Sequence, residues 1–479
     1  MRKARRLPKR IISPELARRF AVGVPVQGGE GASCFFTTRF SRVDTISPMH
    51  KIFTQPLSAL PDLLALHAAR RDHFPALLQS SKVAGRDLLF ALPQESRLYT
   101  HAQAADFARD LAALPKIDPL DSALPFSGGW FVYAGYELLE VFEPTVPARM
   151  DDDFPVAALI RCPAAIIVDR AAQTATLVAE TAEQLTELAN LVESAPVWQA
   201  QPLSIASISE DDPQAFLDGV AACKRYVYEG DVFQVNLSRG WDVAVAGNSA
   251  ADIYAQLRQA NPAPFSALVD LGEHQIISSS PERLVELRGD LLQTRPIAGT
   301  HPRSTDPVED AALKDMLINT AKERAEHIML VDLERNDLGR IAVPGSVEVN
   351  ELMVVATYAF VHHIESNVRA RLRAGLNAAD ILRALFPGGT ITGCPKVRCM
   401  QIIRELEDRP RYAYTGSLGY INRDGSLDLN ILIRTLMQSG EHLYFRAGAG
   451  IVADSDAERE LMETRHKARG LLRALGVAG

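Results

Sequence analysis

Residues 418–449, LGYINRDGSLDLNILIRTLMQSGEHLYFRAGA, place three strand patterns in succession, over 418–421, 429–435 and 442–449. Each is a short run of apolar, β-branched and aromatic residues, the length and composition that strands favour. A helical pattern follows over about 457–475. Moving outward toward the N-terminus, 232–241, 275–279 and 284–287 read as further strands. Residues 212–230 read as an amphipathic helix, with Asp212 as its cap and Pro213 at its first position. Helices are predicted over 310–332 and 378–386. Further upstream, 59–69 reads as a helix, 87–91 and 164–169 as strands, and Ser127-Gly128-Gly129-Trp130 as a turn feeding another strand. Residues 193–209 lack periodicity and read as a linker. Strands in runs with helices interspersed irregularly predict an α/β protein of α+β type built on large sheets, with a domain over 49–200 and a second over 210–477.

The chain has 479 residues, 51 Lys and Arg against 59 Asp and Glu, a formal charge of −8, 47% hydrophobic residues and 23% charged. This is the composition of a globular protein able to bury a large core. The acidic balance argues against nucleic acid as a partner. The longest apolar stretch, over 352–361, is far too short to span a membrane. Five cysteines, at 34, 162, 223, 394 and 399, are odd in number and scattered, which suits a reducing cytoplasm and gives neither a disulfide framework nor a zinc pattern. Residues 1–48 stand apart, with ten Lys/Arg against three acids. A basic tail, a transit-like peptide or sequence preceding a start at Met49 are the readings, and the last is the expectation.

Several features carry chemistry. Glu323 and Glu326 on one predicted helix, and Glu460 and Glu463 on another, are each spaced i,i+3, which puts both carboxylates on one face. Two such faces suit a hard divalent cation such as Mg²⁺; a solvated helix surface is the plainer meaning of either pair alone. The run Phe386-Pro387-Gly388-Gly389-Thr390-Ile391-Thr392-Gly393-Cys394-Pro395-Lys396 resembles a phosphate loop but has Cys394 and Pro395 where such a loop needs Lys and Ser/Thr. Ala447-Gly448-Ala449-Gly450 follows a strand pattern without the last glycine of a dinucleotide fingerprint, so a turn that binds a carboxylate through backbone N–H groups is expected. Arg434 sits in an apolar strand pattern and calls for a carboxylate partner, from the protein or from a ligand. Glu282 follows Ser280-Pro281 and would serve as a general acid if buried, or as a turn cap. His363 lies in an apolar run, where a satisfied core histidine is the commoner outcome.

Taken together, these segments resemble the chorismate-utilising enzymes. The resemblance rests on Gly230-Asp231-Val232-Phe233-Gln234-Val235-Asn236-Leu237-Ser238, Ser280-Pro281-Glu282-Arg283, Arg295-Pro296-Ile297-Ala298-Gly299-Thr300, Ala325-Glu326-His327, Val331-Asp332-Leu333-Glu334-Arg335-Asn336-Asp337, Phe386–Lys396, Ile433-Arg434-Thr435 and Glu463-Thr464 leading to Lys467. It implies two large antiparallel sheets packed as a sandwich with flanking helices, and a site in a cleft between them. It implies Mg²⁺ held by Glu326 and Glu463, supported by Glu323 and Glu460, with Gly299, Thr300, Gly448, Gly450 and Lys467 around the substrate. Tyr414 and Arg434 would clamp the enolpyruvyl carboxylate of chorismate, Glu282 would protonate the departing C4 hydroxyl, and His363 and Thr390 would line that side.

Gln234 separates branches of the family. Members that add water carry Lys there as a base; Gln has no basic nitrogen, and ammonia needs no base. The resemblance therefore implies amination of chorismate. The stretch Gly128–Glu137, the loop Gly388–Gly393 and Asp428-Leu429-Asn430 point to a 4-amino-4-deoxychorismate product for p-aminobenzoate and folate, while Ala298 points to anthranilate plus pyruvate. Ala298 has no nucleophile for a covalent adduct, so ammonia itself would add at C2 and then be displaced. The ammonia would come from a separate glutamine amidotransferase subunit. Finally, Leu77-Leu78-Gln79-Ser80 resembles an effector motif with Gln79 in place of Glu, and with Pro264, Phe265 and Ser266 it would form a tryptophan pocket lacking one carboxylate.

Overall fold

The strand Arg86–Ala91 sends Leu88 and Phe90 to one side and Leu89 and Ala91 to the other, and all four are buried. Successive side chains of a strand point to opposite faces, so burial of both faces means that the sheet is covered twice. The same holds for Ala164–Asp169, where Ala165 and Ile167 face the same core as Phe90 while Ala164, Ile166 and Val168 face the other. This is why both strands read as unbroken apolar runs. The structure, a computed structural model, describes residues 51–118, 123–150, 152–358 and 361–477. The basic segment 1–48 and Met49 lie outside them.

Two sheets make the fold, and every strand pairing in them is antiparallel. One has 12 strands, running in order Phe53–Pro56, Thr174–Ala179, Ala164–Asp169, Arg86–Ala91, Ala76–Gln79, Phe265–Leu271, His274–Ser280, Thr435–Ser439, His442–Ile451, Gln234–Val245 and Gly393–Cys394, with Ile205–Glu210 added against Gln234–Val245. The other has 10, running Ile297–Pro302, Val361–Arg371, Leu291–Thr294, Arg283–Arg288, Leu427–Asn430, Ser417–Asn422, Gly129–Ala134, Ala157–Cys162 and Glu95–Tyr99, with Glu348–Thr357 added against Val361–Arg371. The expected sandwich with flanking helices is what forms. Phe90, Phe131, Tyr133, Ile160, Leu418, Tyr420 and Met437 fill the space between the sheets. The helices Leu63–Ala69, Ala182–Glu193, Ala250–Ala260 and Ala457–Ala474 cover the outer face of the first sheet; Ala104–Ala112 and Ala378–Leu385 cover that of the second. Residues from 49–200 and from 210–477 share both sheets, and His50–Gly479 is one compact unit.

Several local readings change. The helix predicted over 310–332 is two, Pro307–Asn319 and Ala321–Gly339, broken where Thr320 takes an extended conformation and ends one as it begins the other. The predicted linker 193–209 contains the strand Ile205–Glu210, half-exposed at a sheet edge and so without a clean apolar signature. The strand expected over 429–435 splits into Leu427–Asn430 in one sheet and Thr435–Ser439 in the other, and Arg434 lies between them, not within a strand. Gly448 and Gly450, expected in a turn, are inside the strand His442–Ile451.

Candidate functional site

Two neighbouring crossings between the sheets build one side of the site. The chain leaves the first sheet at Ser280 and enters the second at Arg283, so Glu282 lies on the passage. It returns between Asn430 and Thr435, which carries Arg434. The crossings are tied by Ile431 N–H donating to the Glu282 carbonyl (3.0 Å) and by Ser279 N–H donating to the Arg434 carbonyl (3.1 Å). The Ser280 hydroxyl also donates to the Ile431 carbonyl. Arg434 has a φ of 52°, a left-handed conformation uncommon for a side chain of this size.

Glu282 is 5% exposed, and its Oε1 is buried with no hydrogen-bond partner. Loss of hydration raises its carboxyl to about 8, and the Glu334 and Glu365 charges add to this while the Thr390 hydroxyl opposes it. A carboxylic acid kept neutral at pH 7 is a proton donor in waiting. The Thr390 hydroxyl is buried beside Glu282. Burial lowers the pKa of Arg434, and Glu282, once ionised, is the group that opposes this. Across the site, burial and the Arg434 charge hold His363 down at about 4, so it is neutral. Its Nδ1 lies 3.3 Å from the Gly299 carbonyl, which assigns the ring proton to that nitrogen. Gly299 forms a bulge opposite His363, with φ of 71°. A Cβ there would come within 2.7 Å of Glu323 Oε2, so the glycine lets the helix carboxylate approach the strand. Thr300 pairs with His363 through the backbone.

The other side gathers the helix carboxylates. Gln234, 2% exposed, donates from Nε2 to Glu326 Oε1 at 2.9 Å, and its own Oε1 is buried without a partner. Burial pushes Glu326 up; Gln234 and Lys467 pull it down, while the Glu323 and Glu463 charges push it further up. Glu323, Glu326, Glu463 and Lys467 thus share one field. Lys467 Nζ pairs with Glu463 Oε1 at 2.8 Å and donates to the Gly448 carbonyl at 3.0 Å. A Cβ at Gly448 would meet the Tyr414 hydroxyl at 2.9 Å, which brings Tyr414 to this wall. Glu460 is buried one turn before Glu463 on the helix Ala457–Ala474. The donor chemistry suits a hard cation, because mutual repulsion among these carboxylates is what a divalent ion relieves. Among the described residues no three acidic, His or Cys side chains are drawn closely enough to ligate one, and Lys467 supplies the countercharge for Glu463.

Two positioning networks escape sequence reading. Arg411, fully buried, pairs with Glu407 (2.6 Å), donates to the Asn236 carbonyl (2.8 Å) and packs 5.5 Å from the Tyr414 ring centre. Glu407 also accepts from the Ser238 N–H and hydroxyl, both at 2.8 Å, and pairs with Arg446 at 3.0 Å. Lys396, buried, pairs with Asp337 at 2.7 Å. Charged residues in polar stretches read as surface, and only their partners, distant in sequence, put them inside. In the middle of the first sheet, Gln79 and Ser266 are paired strand neighbours beside Ser80, Pro264 and Phe265. Gln79 donates to Asp87 Oδ2 (3.1 Å) and accepts from the Tyr254 hydroxyl (3.2 Å), while Ser80 N–H donates to Asp87 Oδ1 (2.9 Å). A Glu at 79 would face the Asp87 carboxylate; the amide turns that repulsion into a hydrogen bond.

Comparison with known proteins agrees with this architecture. The family model described as chorismate binding enzyme matches residues 74–473. Aminodeoxychorismate synthase component 1 of Klebsiella aerogenes is 39% identical over 442 residues, 88% of this chain and 96% of the relative. An anthranilate synthase component I-like protein of Synechocystis sp. is 42% identical over 359 residues, 74% of this chain and 73% of the relative. The crystal structure of anthranilate synthase component I from Streptococcus pneumoniae superposes with a TM-score of 0.72 at 31% identity, covering 82% of this chain and 93% of that one. The chain belongs to the chorismate binding enzyme family.

Proposed function

We propose that the chain replaces the C4 hydroxyl of chorismate by an amino group, giving 4-amino-4-deoxychorismate for p-aminobenzoate and folate synthesis. The observation that carries this reading is Glu282, a buried carboxyl with an unpartnered oxygen that stays protonated at neutral pH beside Arg434. Hydroxide is a poor leaving group; a proton from Glu282 lets the C4 oxygen depart as water. Arg434 and Tyr414 would hold a substrate carboxylate through charge and a hydroxyl, and neutral His363 with Thr390 would line the leaving-group side. Mg²⁺ would be held by Glu326 and Glu463, with Glu323 and Glu460 in support, and would supply countercharge to a second carboxylate. Gln234 spends its donor on Glu326 and offers no base to activate water, which favours ammonia as the nucleophile. Aminodeoxychorismate synthases among the relatives support the same product.

Ala298 offers no nucleophile, so ammonia would add at C2 as water leaves C4, and a second ammonia would add at C4 as the first departs with its bonding pair. The ammonia would come from a separate glutamine amidotransferase subunit, and the setting would be the cytoplasm; the four described cysteines are free, and no helix among the described residues is long and apolar enough to cross a membrane. The test is incubation of the chain with chorismate, Mg²⁺ and excess ammonium salt at mildly alkaline pH, with products separated by mass-resolved chromatography. Aminodeoxychorismate, converted to p-aminobenzoate only after a lyase is added, is the expected product. Anthranilate with free pyruvate would instead make Ala298 the better guide. Intact-protein mass spectrometry should show no adduct of chorismate mass.

A further inference from the structure

The turn Gly389–Ile391, which carries Thr390, is thin. On one side, a Cβ at Gly388 would meet Ile431 Cδ1 at 2.9 Å, on the crossing that carries Arg434, and Leu284 Cδ1 at 3.5 Å, in the strand that follows Glu282. On the other, a Cβ at Gly389 would meet Leu333 Cδ2 at 2.5 Å and Glu334 Oε1 at 3.6 Å, on the helix Ala321–Gly339. Two residues without side chains let both walls close on the turn. Behind it, Glu334 is 6% exposed, a second buried carboxyl that no step above uses. Glu282 Oε1 is buried with no hydrogen-bond partner, and the Thr390 and Thr294 hydroxyls are buried beside the Glu282 and Glu334 carboxyls. Native proteins rarely leave an atom such as Glu282 Oε1 unpaired without a functional reason.

We propose that Glu334 is a positioning residue for the proton donor: a second buried carboxyl, set behind the Gly388-Gly389 turn, that sets the charge facing Glu282 and braces the turn carrying Thr390. The inference rests on Glu282 being the acid of the proposed reaction. Glu334 itself is raised to about 7, by burial first and then by Asp337 on its own helix. Lys396, from the helix Lys396–Leu406, the Thr294 hydroxyl and the Gly389 amide pull it the other way. Glu282 faces Glu334, Glu365, the Thr390 hydroxyl, the Ile297 amide and Arg434. A negative charge on Glu334 raises Glu282. As pH climbs through 7, Glu334 ionises first and delays the ionisation of Glu282, which keeps the donor loaded into the mildly alkaline range where free ammonia is plentiful. Below about pH 6 Glu334 is neutral and the effect vanishes.

The test compares pH–rate profiles of the full chain and of Glu334→Gln, Glu334→Asp and Glu282→Gln, with free ammonia held constant at each pH. Glu334→Gln should match the parent near pH 6 and fall behind it several-fold by pH 8.5, its alkaline limb shifted toward acid by about half a unit or more. Glu334→Asp, which keeps the charge, should keep the position of the limb even if its rate falls, and that rescue separates charge from bracing. A uniform loss across pH in Glu334→Gln, or an unmoved limb, would overturn the proposal while the acid role of Glu282 stands. Full activity in Glu282→Gln would remove the acid role and this inference with it. Thermal melting of each variant at pH 6 verifies that the compared chains are folded.

Discussion

Gln234 Nε2 lies 2.9 Å from Glu326 Oε1, and the same nitrogen fills the space that a side chain at position 450 would need. A Cβ on Gly450 would sit 2.2 Å from it. Two strand neighbours and a helix carboxylate are thus interlocked by the absence of one methyl group. Gly450→Ala should push the amide away, leave Glu326 without its donor, and raise its carboxyl further. Turnover of chorismate should fall about tenfold or more, and half-maximal activity should require more Mg²⁺, with the circular dichroism spectrum unchanged. Parent-like Mg²⁺ dependence in a folded Gly450→Ala chain would show that the Gln234–Glu326 contact is incidental.

Glu282 combines a catalytic and an energetic signature. Glu282→Gln should lower kcat by roughly 10²–10⁴, the range expected when a positioned acid is removed. The same carboxyl bears on stability. Its folded value, about 8, exceeds the usual carboxyl value, so the folded state holds a proton that the unfolded state releases. Stability from this group is therefore fully present below about pH 4.5 and is lost as pH rises toward 8. Glu282→Gln removes the titration, so thermal melts of variant and parent should differ in slope against pH: the parent loses melting temperature between pH 5 and 8.5 where the variant loses less. Parallel curves would mean that Glu282 is ionised in the folded chain.

Arg434 takes a left-handed backbone conformation, its carbonyl accepts from Ser279 N–H, and its side chain is buried near Glu282. A planar fork can grip a carboxylate through two parallel bonds; an ammonium cannot. Arg434→Lys should raise KM for chorismate about tenfold to a hundredfold while kcat changes by a few-fold. Steady-state kinetics with ammonium as nitrogen source would show it. A kcat loss at unchanged KM would reassign Arg434 from the substrate to Glu282.

The parts of this molecule visible in sequence are those with local causes. The capped helix Pro213–Tyr228 announces itself through Asp212, whose side chain accepts from Gln214 N–H, and Pro213. The helices bearing Glu323, Glu326, Glu460 and Glu463 show their carboxylate spacing directly. What stayed hidden has distant causes. The break at Thr320 carries neither Gly nor Pro, so nothing in the local sequence stops the helix there. Arg434 looked like part of a strand because Ile431-Leu432-Ile433 and Leu436-Met437 flank it on both sides, whereas the chain changes sheets within that run. Arg411 and Glu407 read as surface charges in a polar stretch; their burial depends on Ser238, Asn236 and Arg446. The juxtaposition of Glu282 with Arg434 follows from two sheet crossings some 150 residues apart, and only the resemblance to chorismate-utilising enzymes gave access to it beforehand.

The pair Lys396–Asp337 makes the last prediction, because it joins stability to the site. Lys396 Nζ is 2.7 Å from Asp337 Oδ2 and donates to the Leu385 carbonyl at 3.2 Å, at the end of the helix that leads into the Gly388–Thr390 turn. Both side chains are buried. Removing one member leaves the other as an unpaired charge out of water, which costs about 3–5 kcal/mol, far more than the pair itself contributes. Lys396→Met should therefore lower the urea midpoint markedly. Lys396→Met with Asp337→Leu should recover most of the loss, since no charge then remains buried. The two variants should differ in activity as well. In the double variant the Leu385 carbonyl still lacks its donor, so the turn carrying Thr390 stays loosened and turnover falls although the fold is restored. Recovery of stability without recovery of activity is the expected pattern in urea titration and steady-state rates. If the double variant regained both, Lys396 would hold the fold together without contributing to the placement of Thr390 beside Glu282.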